Sequence, residues 1–158
     1  MTVQKEFTDK NGNYDILLKH VADRKLRRII DVGAWWGPWS LFWQPHAERL
    51  EIFEPNKRIL PMLEHNISTY DNCTLHKTAL GESRGTVSMG YDTHSGTNHV
   101  TDPKGDTGIN TLDSYNFDNV DVIKIECLVD TDTDLRFEKN TNKRYINQLQ
   151  ERLVKTTP

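Results

Sequence analysis

The sequence predicts an α/β fold with a mostly parallel sheet and helices on both faces. Three observations support this prediction. Short apolar runs alternate with segments of helical periodicity, which is the pattern of repeated strand–helix–strand units. A glycine-containing turn, "DVGAWWG" at 31–37, directly follows the first apolar run. The length of 158 residues suits one domain with its own core, so 1–158 is expected to form a single domain.

The first half of the chain alternates helix and strand. The apolar spacing predicts, in order, a helix over 14–25, a strand over 26–33, a helix over 38–50, a strand over 50–55, a helix over 56–67 and a strand over 73–80. Pro38 is acceptable in the first turn of its helix, whereas Pro45 is expected to end or bend it. Asn56 is expected to cap the helix that follows it.

The second half is less regular. Residues 85–91 predict an added strand, 92–108 a loop rich in Gly, Asp and Thr, and 119–127 a buried strand, while 109–117 is ambiguous. A polar stretch then leads to a helix predicted over 144–154. With so little sheet after it, the strand near 120–127 is expected to lie at an unpaired edge, which favours a homo-oligomer formed through that edge.

Composition and charge limit the classes of function. The net charge of −3 argues against an electrostatic grip on nucleic acid or on an anionic membrane. No apolar run approaches the roughly 20 residues of a membrane span, and the N-terminal stretch lacks the apolar segment of a signal peptide. Cys73 and Cys127 have no CxxC spacing and suggest reduced thiols. The expected location is therefore cytoplasmic.

The turn after the first strand has the pattern of a ligand site. Asp31, Gly33 and Gly37 form D-x-G-x-x-x-G between a strand and a helix. Glycine at a strand end allows a tight turn and a close approach of the ligand to the backbone. The start of the following helix offers free N–H groups to a carboxylate or phosphate.

An acidic residue at the end of the next predicted strand narrows the ligand class. In folds of this kind, a carboxylate at the position of Glu54 accepts hydrogen bonds from ribose hydroxyls. The G-x-G-x-x-G signature of dinucleotide sites is absent, and Trp35 and Trp36 crowd the place of a pyrophosphate. An adenosyl ligand without phosphate fits better. S-adenosylmethionine is such a ligand, and aromatic faces attract its sulfonium.

A series of motifs resembles the FkbM-type methyltransferases. The series runs "IIDVGAWWGPWSLFW", "EIFEPN", "HNI", "TALGES", "GTVSM" and "INTLDSYNFDNVDVIKIE", and it covers about residues 28–126. The resemblance implies a Rossmann-like class I methyltransferase fold, S-adenosylmethionine as cofactor, and O-methylation of a sugar or other small molecule. It implies cofactor contacts at Asp31, Gly33, Ala34, Trp35, Gly37, Glu54, Pro55, Asn56, Thr78 and Ala79, and it makes Glu126 the candidate catalytic residue. Lys124 stands in the family's fourth strand, and Asp113 closes its "TLD" motif.

The sequence departs from the family in two places. Trp35 occupies a position where the family loop usually has Asn. After Glu126 the family's E-G-x-E continuation is missing, and the tail 128–158 is divergent, so the fold is expected to be C-terminally shortened. A non-catalytic cofactor-binding or interaction domain is therefore the alternative. In it, the basic C-terminal helix with Lys143, Arg144, Arg152 and Lys155 would dock a partner.

All four tryptophans lie within the segment that contains the glycine turn. Trp35, Trp39 and Trp43 have the i, i+4, i+8 spacing of one helical face. Core packing is the preferred interpretation for Trp39 and Trp43. For Trp35 and Trp36, which precede the predicted helix, contact with a ligand or its acceptor and simple packing both remain open.

Overall fold

The central element is a five-stranded parallel sheet in a computed structural model that describes residues 25–91, 98–125 and 144–147. In chain order the strands are β1 (Leu26–Val32), β2 (Ala47–Phe53), β3 (Cys73–His76), β4 (Ala79–Leu80), β5 (Gly85–Tyr91), β6 (Asn98–Asn110), β7 (Val120–Ile125) and β8 (Arg144–Asn147). The α-helices described are α1 (Pro38–Trp43) and α2 (Leu60–Ile67). The central sheet has the order β3-β2-β1-β7-β8.

This strand order defines the fold class. From β1 the sheet first grows outward through β2 and β3, and it then continues on the other side of β1 with β7 and β8. All four pairings are parallel. Parallel order with a reversal beside the first strand is the arrangement of Rossmann-like α/β folds. The predicted fold class is confirmed.

The two faces of the sheet bury different sets of side chains. On one face, Trp39, Trp43 and Leu63 of the two helices pack against Ile29 and Leu50. On the other face, the 3₁₀ helix Leu112–Tyr115 and the residues after it cover Ile30, Phe53 and Ile123. Adjacent residues of β1 thus enter opposite layers, which explains why its apolar run is nearly continuous.

A buried ion network lies on the same face as the 3₁₀ helix, and the sequence did not reveal it. The Arg28 Nε lies 3.3 Å from Glu51 Oε1, and the other Glu51 carboxylate oxygen lies 2.8 Å from His76 Nε2. The His76 ring stacks on Phe53 with 4.4 Å between centroids. Arg28 and Glu51 thus pair their buried charges, as burial requires.

A second, smaller sheet has the order β4-β6-β5. The loop predicted over 92–108 is wrong from residue 98 onward, because β6 begins there and pairs antiparallel with β5. The pairing moves from Val87↔Thr107 to Ser88↔Asp102, so residues 103–106 bulge out of the ladder. A bulge accommodates a proline, which donates no ladder hydrogen bond. The polar composition of the bulged segment resembles that of a loop.

The tail differs from its prediction. Residues 144–147 form strand β8 rather than the start of a helix, and β8 pairs with β7 from Val122↔Arg144 to Ile125↔Asn147. Strand β7 therefore has a neighbour on each side, and the expected unpaired edge at 120–127 is wrong. Tyr145 and Ile146 fit a strand as well as a helix because a short apolar run has no decisive period. Residues 14–24 of the helix predicted over 14–25 lie outside the described residues, and so do residues 148–154 of the helix predicted over 144–154.

Two helices also differ from prediction. Helix α1 begins at Pro38 as predicted, and Trp35 precedes it, but it ends at Trp43 rather than at 50 because β2 already begins at Ala47. Ile59, not Asn56, is the N-cap position of α2. Pro45 lies in a 3₁₀ helix, Gln44–His46, that directly follows α1, as its effect on a helix predicts. Within the described residues, no helix is long and apolar enough to cross a membrane.

Candidate functional site

The candidate site lies at the carboxyl edge of the central sheet. Val32 pairs with Phe53, Phe53 with His76, and Val32 with Ile125, so these strands end level with one another. Gly33 and Glu54 directly follow at that edge. The sheet changes its direction of growth between β1 and β7, and in folds of this class ligands bind beyond the strand ends at that point, called the crevice below. Glu126 directly follows Ile125 in the sequence but lies outside the described residues.

The turn after β1 uses left-handed backbone at three positions. The φ angles are +74° at Gly33, +54° at Trp35 and +96° at Gly37. Glycine adopts such angles readily, and a Cβ at Gly37 would lie 2.8 Å from Leu63 Cδ1. Trp35 carries a Cβ and a large ring, so its conformation is strained. Asn enters the left-handed region more easily than other residues with a Cβ, so an Asn at position 35 would be less strained than Trp.

The loop amides are already engaged within the protein. The N–H groups of Gly33 and Ala34 both donate to the Phe53 carbonyl, at 3.0 and 3.1 Å, and that of Gly37 donates to Ala34. The Trp35 N–H donates to Glu54 Oε2 at 2.7 Å. Helix α1 has six residues and begins with a proline, which has no N–H. The expected set of free amides for a carboxylate or phosphate is therefore not present at these four positions.

Glu54 is a buried carboxylate with both oxygens in use. Only 6% of the residue is exposed, and Oε1 accepts a second hydrogen bond from the Asn56 N–H at 2.8 Å. Burial raises the pKa of this carboxyl, and the bonds from Asn56 and Trp35 offset part of that rise. Each carboxylate oxygen has a second lone pair, so each can accept a further hydrogen bond from a ligand hydroxyl.

Asp31 lies beneath the loop rather than at its surface. It is fully buried, and its Oδ2 accepts a hydrogen bond of 2.6 Å from Ser40 Oγ. Its Oδ1 lies 2.9 Å from the Lys124 ammonium. Asp31 therefore supports the turn and the start of α1, and a direct ligand contact through it stays a prediction. A lone Lys in the apolar run "VIKI" and a lone Ser in "PWSLFW" are the sequence signals that could have revealed its partners.

The remaining predicted residues connect the site to its surroundings. Asn56 is buried, and its side chain accepts a hydrogen bond from the Arg58 N–H at 2.9 Å, which shapes the turn from Pro55 into α2. The N–H groups of Glu54 and Thr78 both donate to the His76 carbonyl, at 3.2 and 2.9 Å. Ala79 begins the second sheet by pairing with Ile109. The backbones of Glu54 and Thr78 are therefore close in space. Contact of either residue with a ligand remains a prediction.

The four tryptophans divide into two pairs. Trp39 and Trp43 are buried and stack with 6.3 Å between ring centroids, which confirms their predicted core role. Trp35 is 40% exposed, and its ring lies 5.7 Å from that of half-buried Trp36. Residues with strained backbone are concentrated at functional sites, and Trp35 is one such residue.

An open depression of about 470 Å³ lies elsewhere, along the β2–β3 side of the sheet. It is lined by polar and charged residues, namely Glu48, Arg49, Glu51, Asp71, Asn72 and Thr74. None of these is a predicted site residue. We give the crevice at the strand ends more weight, because the left-handed loop and the buried Glu54 carboxylate meet there.

Comparisons with known proteins return partial structural similarity. No family model and no curated protein matches the chain. Among solved structures, the methyltransferase FkbM from Methylobacillus flagellatus KT is 17% identical with a TM-score of 0.45, over 65% of this chain and 26% of that one. The YcgJ protein from Bacillus subtilis is 15% identical with a TM-score of 0.38, over 44% and 30%. A precorrin 8W decarboxylase from Methanobacterium thermoautotrophicum is 21% identical with a TM-score of 0.35, over 40% and 36%.

The chain thus spans between about a quarter and a third of the length of these solved structures. The fold class rests on the strand order and parallel pairing described above.

Proposed function

We propose that this chain binds S-adenosylmethionine in the crevice beyond β1 and β2. The observation that carries the proposal is Glu54, a buried carboxylate at a strand end whose oxygens retain acceptor capacity. Such a group suits the two neighbouring hydroxyls of a ribose. Its low exposure strengthens each hydrogen bond because water does not compete for it.

The chemistry around Glu54 favours a ligand with hydroxyls and positive charge over one with phosphates. The loop amides that would hold a phosphate are bonded to Phe53, Ala34 and Glu54. The Trp35 and Trp36 rings offer electron-rich faces, which attract a sulfonium. These two features fit S-adenosylmethionine and argue against a dinucleotide.

The proposed reaction is methyl transfer to an oxygen of a small molecule or sugar, in the cytoplasm. When bound, the cofactor supplies an electrophilic methyl group. The protein's part is to hold the acceptor oxygen in line with that group and to exclude water. Glu126 is the proposed residue for placing the acceptor or the cofactor's amine, since it directly follows β7 in the sequence.

A direct binding assay tests the proposal. S-adenosylhomocysteine at about 100 times its dissociation constant should add roughly 2.7 kcal/mol to the free energy of unfolding. NAD should add nothing, because the loop lacks a place for its pyrophosphate. Thermal-shift measurements with both ligands, followed by calorimetry, separate these outcomes. Stabilisation by NAD without stabilisation by the adenosyl ligands would refute the assignment.

The second candidate is a binding domain without catalysis. The observation that favours it is the sequence after Glu126, which lacks the acidic continuation of the resembling family. Mass spectrometry of hydroxyl-bearing acceptors incubated with the protein and S-adenosylmethionine distinguishes the two functions. Cofactor binding with no methylated product from any acceptor supports the second candidate.

A further inference from the structure

Lys124 is a buried cation in an otherwise apolar strand. It is 2% exposed and lies between Ile123 and Ile125 in β7. A buried ammonium is costly unless it is paired and hydrogen-bonded, so its contacts show what it holds. One contact is the ion pair of 2.9 Å with Asp31 Oδ1.

Its second contact is with the loop backbone. The Lys124 ammonium donates to the Gly33 carbonyl at 3.2 Å, at the first left-handed residue of the turn. A counter-ion for Asp31 would need no such bond. The Gly33 carbonyl belongs to the peptide that leads into Ala34, and the next peptide carries the Trp35 N–H that donates to Glu54.

We propose that Lys124 is a positioning residue that fixes the glycine loop on Glu54. By holding the Gly33 carbonyl, it sets the peptide orientation that brings the Trp35 N–H to the Glu54 carboxylate. Ser40, through Asp31, anchors the same ion pair to the start of α1. One ammonium thereby joins β7, the end of β1 and the loop at the crevice.

The inference predicts a specific weakness when Lys124 is removed. The loop should open more often, while the sheet below it stays closed. Ligand affinity should fall as well, because a mobile loop no longer holds Glu54 in place. This second expectation rests on the proposed function, whereas the first does not.

The decisive comparison is between Asp31→Asn and the double variant Asp31→Asn/Lys124→Met. Both lack the Asp31 charge, and they differ in the ammonium that bonds the Gly33 carbonyl, which Asp31→Asn keeps without its carboxylate partner. The double variant is neutral at both positions, and replacing a buried ion pair by groups of similar volume is often tolerated. Lys57→Met, which removes an exposed lysine paired with Asp106, is the matched control.

Hydrogen exchange followed by NMR measures loop opening without any ligand. The amides of Ala34 and Trp35 should exchange about tenfold faster in the double variant than in Asp31→Asn, the factor that corresponds to one net hydrogen bond. Amides within β1 and β2 should exchange at the same rate in both variants, and Lys57→Met should match the wild-type protein. Equal exchange at Ala34 and Trp35 would show that Lys124 is only a counter-ion and would overturn the inference. A double variant that fails to fold would overturn it too.

Calorimetry with S-adenosylhomocysteine completes the test. The double variant should bind about tenfold more weakly than Asp31→Asn, in step with the loss of exchange protection. A wild-type protein that does not bind this probe refutes the proposed function, and the exchange data then decide the role of Lys124 alone.

Discussion

Replacing Glu54 by glutamine tests whether the carboxylate organises the loop. The carboxylate accepts hydrogen bonds from two backbone N–H groups, those of Trp35 and Asn56. Glutamine has nearly the same shape but presents one oxygen and one NH₂ group. In either orientation of the amide, one backbone N–H faces another donor. The substitution therefore removes one acceptor and leaves one buried N–H unsatisfied.

The expected loss of stability follows from these two bonds. A hydrogen bond to a charged group contributes roughly 1.5 to 3 kcal/mol, and an unpaired buried donor costs a similar amount. Allowing for relaxation of the exposed Trp35 side of the loop, Glu54→Gln should reduce the free energy of unfolding by about 2 to 3 kcal/mol. The 6% exposure of Glu54 and its two backbone hydrogen bonds are the reason that a loss of this size is expected.

The pH dependence has a definite sign. Burial raises the pKa of Glu54 in the folded protein above its ordinary value of 4.5. As the pH rises through this window, the unfolded chain loses the proton first, so the free energy of unfolding falls until the folded pKa is passed. Glutamine does not titrate. The wild-type advantage over Glu54→Gln should therefore be larger near about pH 4 than near about pH 7.

Urea unfolding followed by circular dichroism measures both effects. Glu82→Gln, which neutralises an exposed carboxylate, is the control and should change stability by less than about 0.5 kcal/mol. A Glu54→Gln variant as stable as the wild-type protein at neutral pH would refute the reasoning. A stability difference that grows as the pH rises would contradict the assigned direction of the pKa shift.

Three further predictions concern the loop, its support and the sheet edge. Trp35→Gly should be more stable than Trp35→Ala by about 1 kcal/mol in urea unfolding, because both remove the indole but only alanine keeps a Cβ on left-handed backbone; equal stability would argue against strain. Ser40→Ala should cost about 1 to 3 kcal/mol, since a buried Asp31 oxygen loses its donor; an unchanged midpoint would show that another group replaces it. Deleting 144–158 removes β8 and should increase self-association in analytical ultracentrifugation, because β7 then has an open edge. A strictly monomeric truncation would contradict this.

The sequence predicted the parallel sheet because its evidence is local. Short apolar runs at 26–33, 50–55, 73–80 and 119–127 each lie on or beside an observed strand of the central sheet. Strand β6 was missed because a bulged, polar strand has no apolar period to detect. Strand β8 was missed because four residues of mixed character fit two periods. In each case long-range pairing, which a local pattern does not contain, decides the structure.

The places of the glycine turn and of Glu54 in the fold were predictable, whereas their hydrogen bonds and ion pairs were not. A glycine turn after the first strand and an acid after the second are local signals, and both lie at the carboxyl edge of the sheet. The partners of Asp31 are separated from it by different distances along the chain: Ser40 comes from the next helix, and Lys124 from a strand far along the sequence. From the sequence pattern alone, a charged residue such as Asp31 is interpreted as a ligand contact. Its pairing with Ser40 and Lys124 shows instead that the Asp31 carboxylate stabilises the loop.

This distinction bears on which ligand the proposed site would select. A loop whose amides are free recognises anions, as in phosphate-binding turns. Here the amides of Gly33, Ala34, Trp35 and Gly37 are bonded inside the protein, and the polar group that retains acceptor capacity is the Glu54 carboxylate. The charge offered at this position is negative, so hydroxyl and cationic groups are favoured and phosphates are disfavoured. The left-handed backbone at Trp35 fits this arrangement, because the hydrogen bond from the Trp35 N–H to Glu54 helps to hold that backbone in place. In the proposed site, selectivity would therefore arise from the hydrogen bonds that the loop makes within the protein.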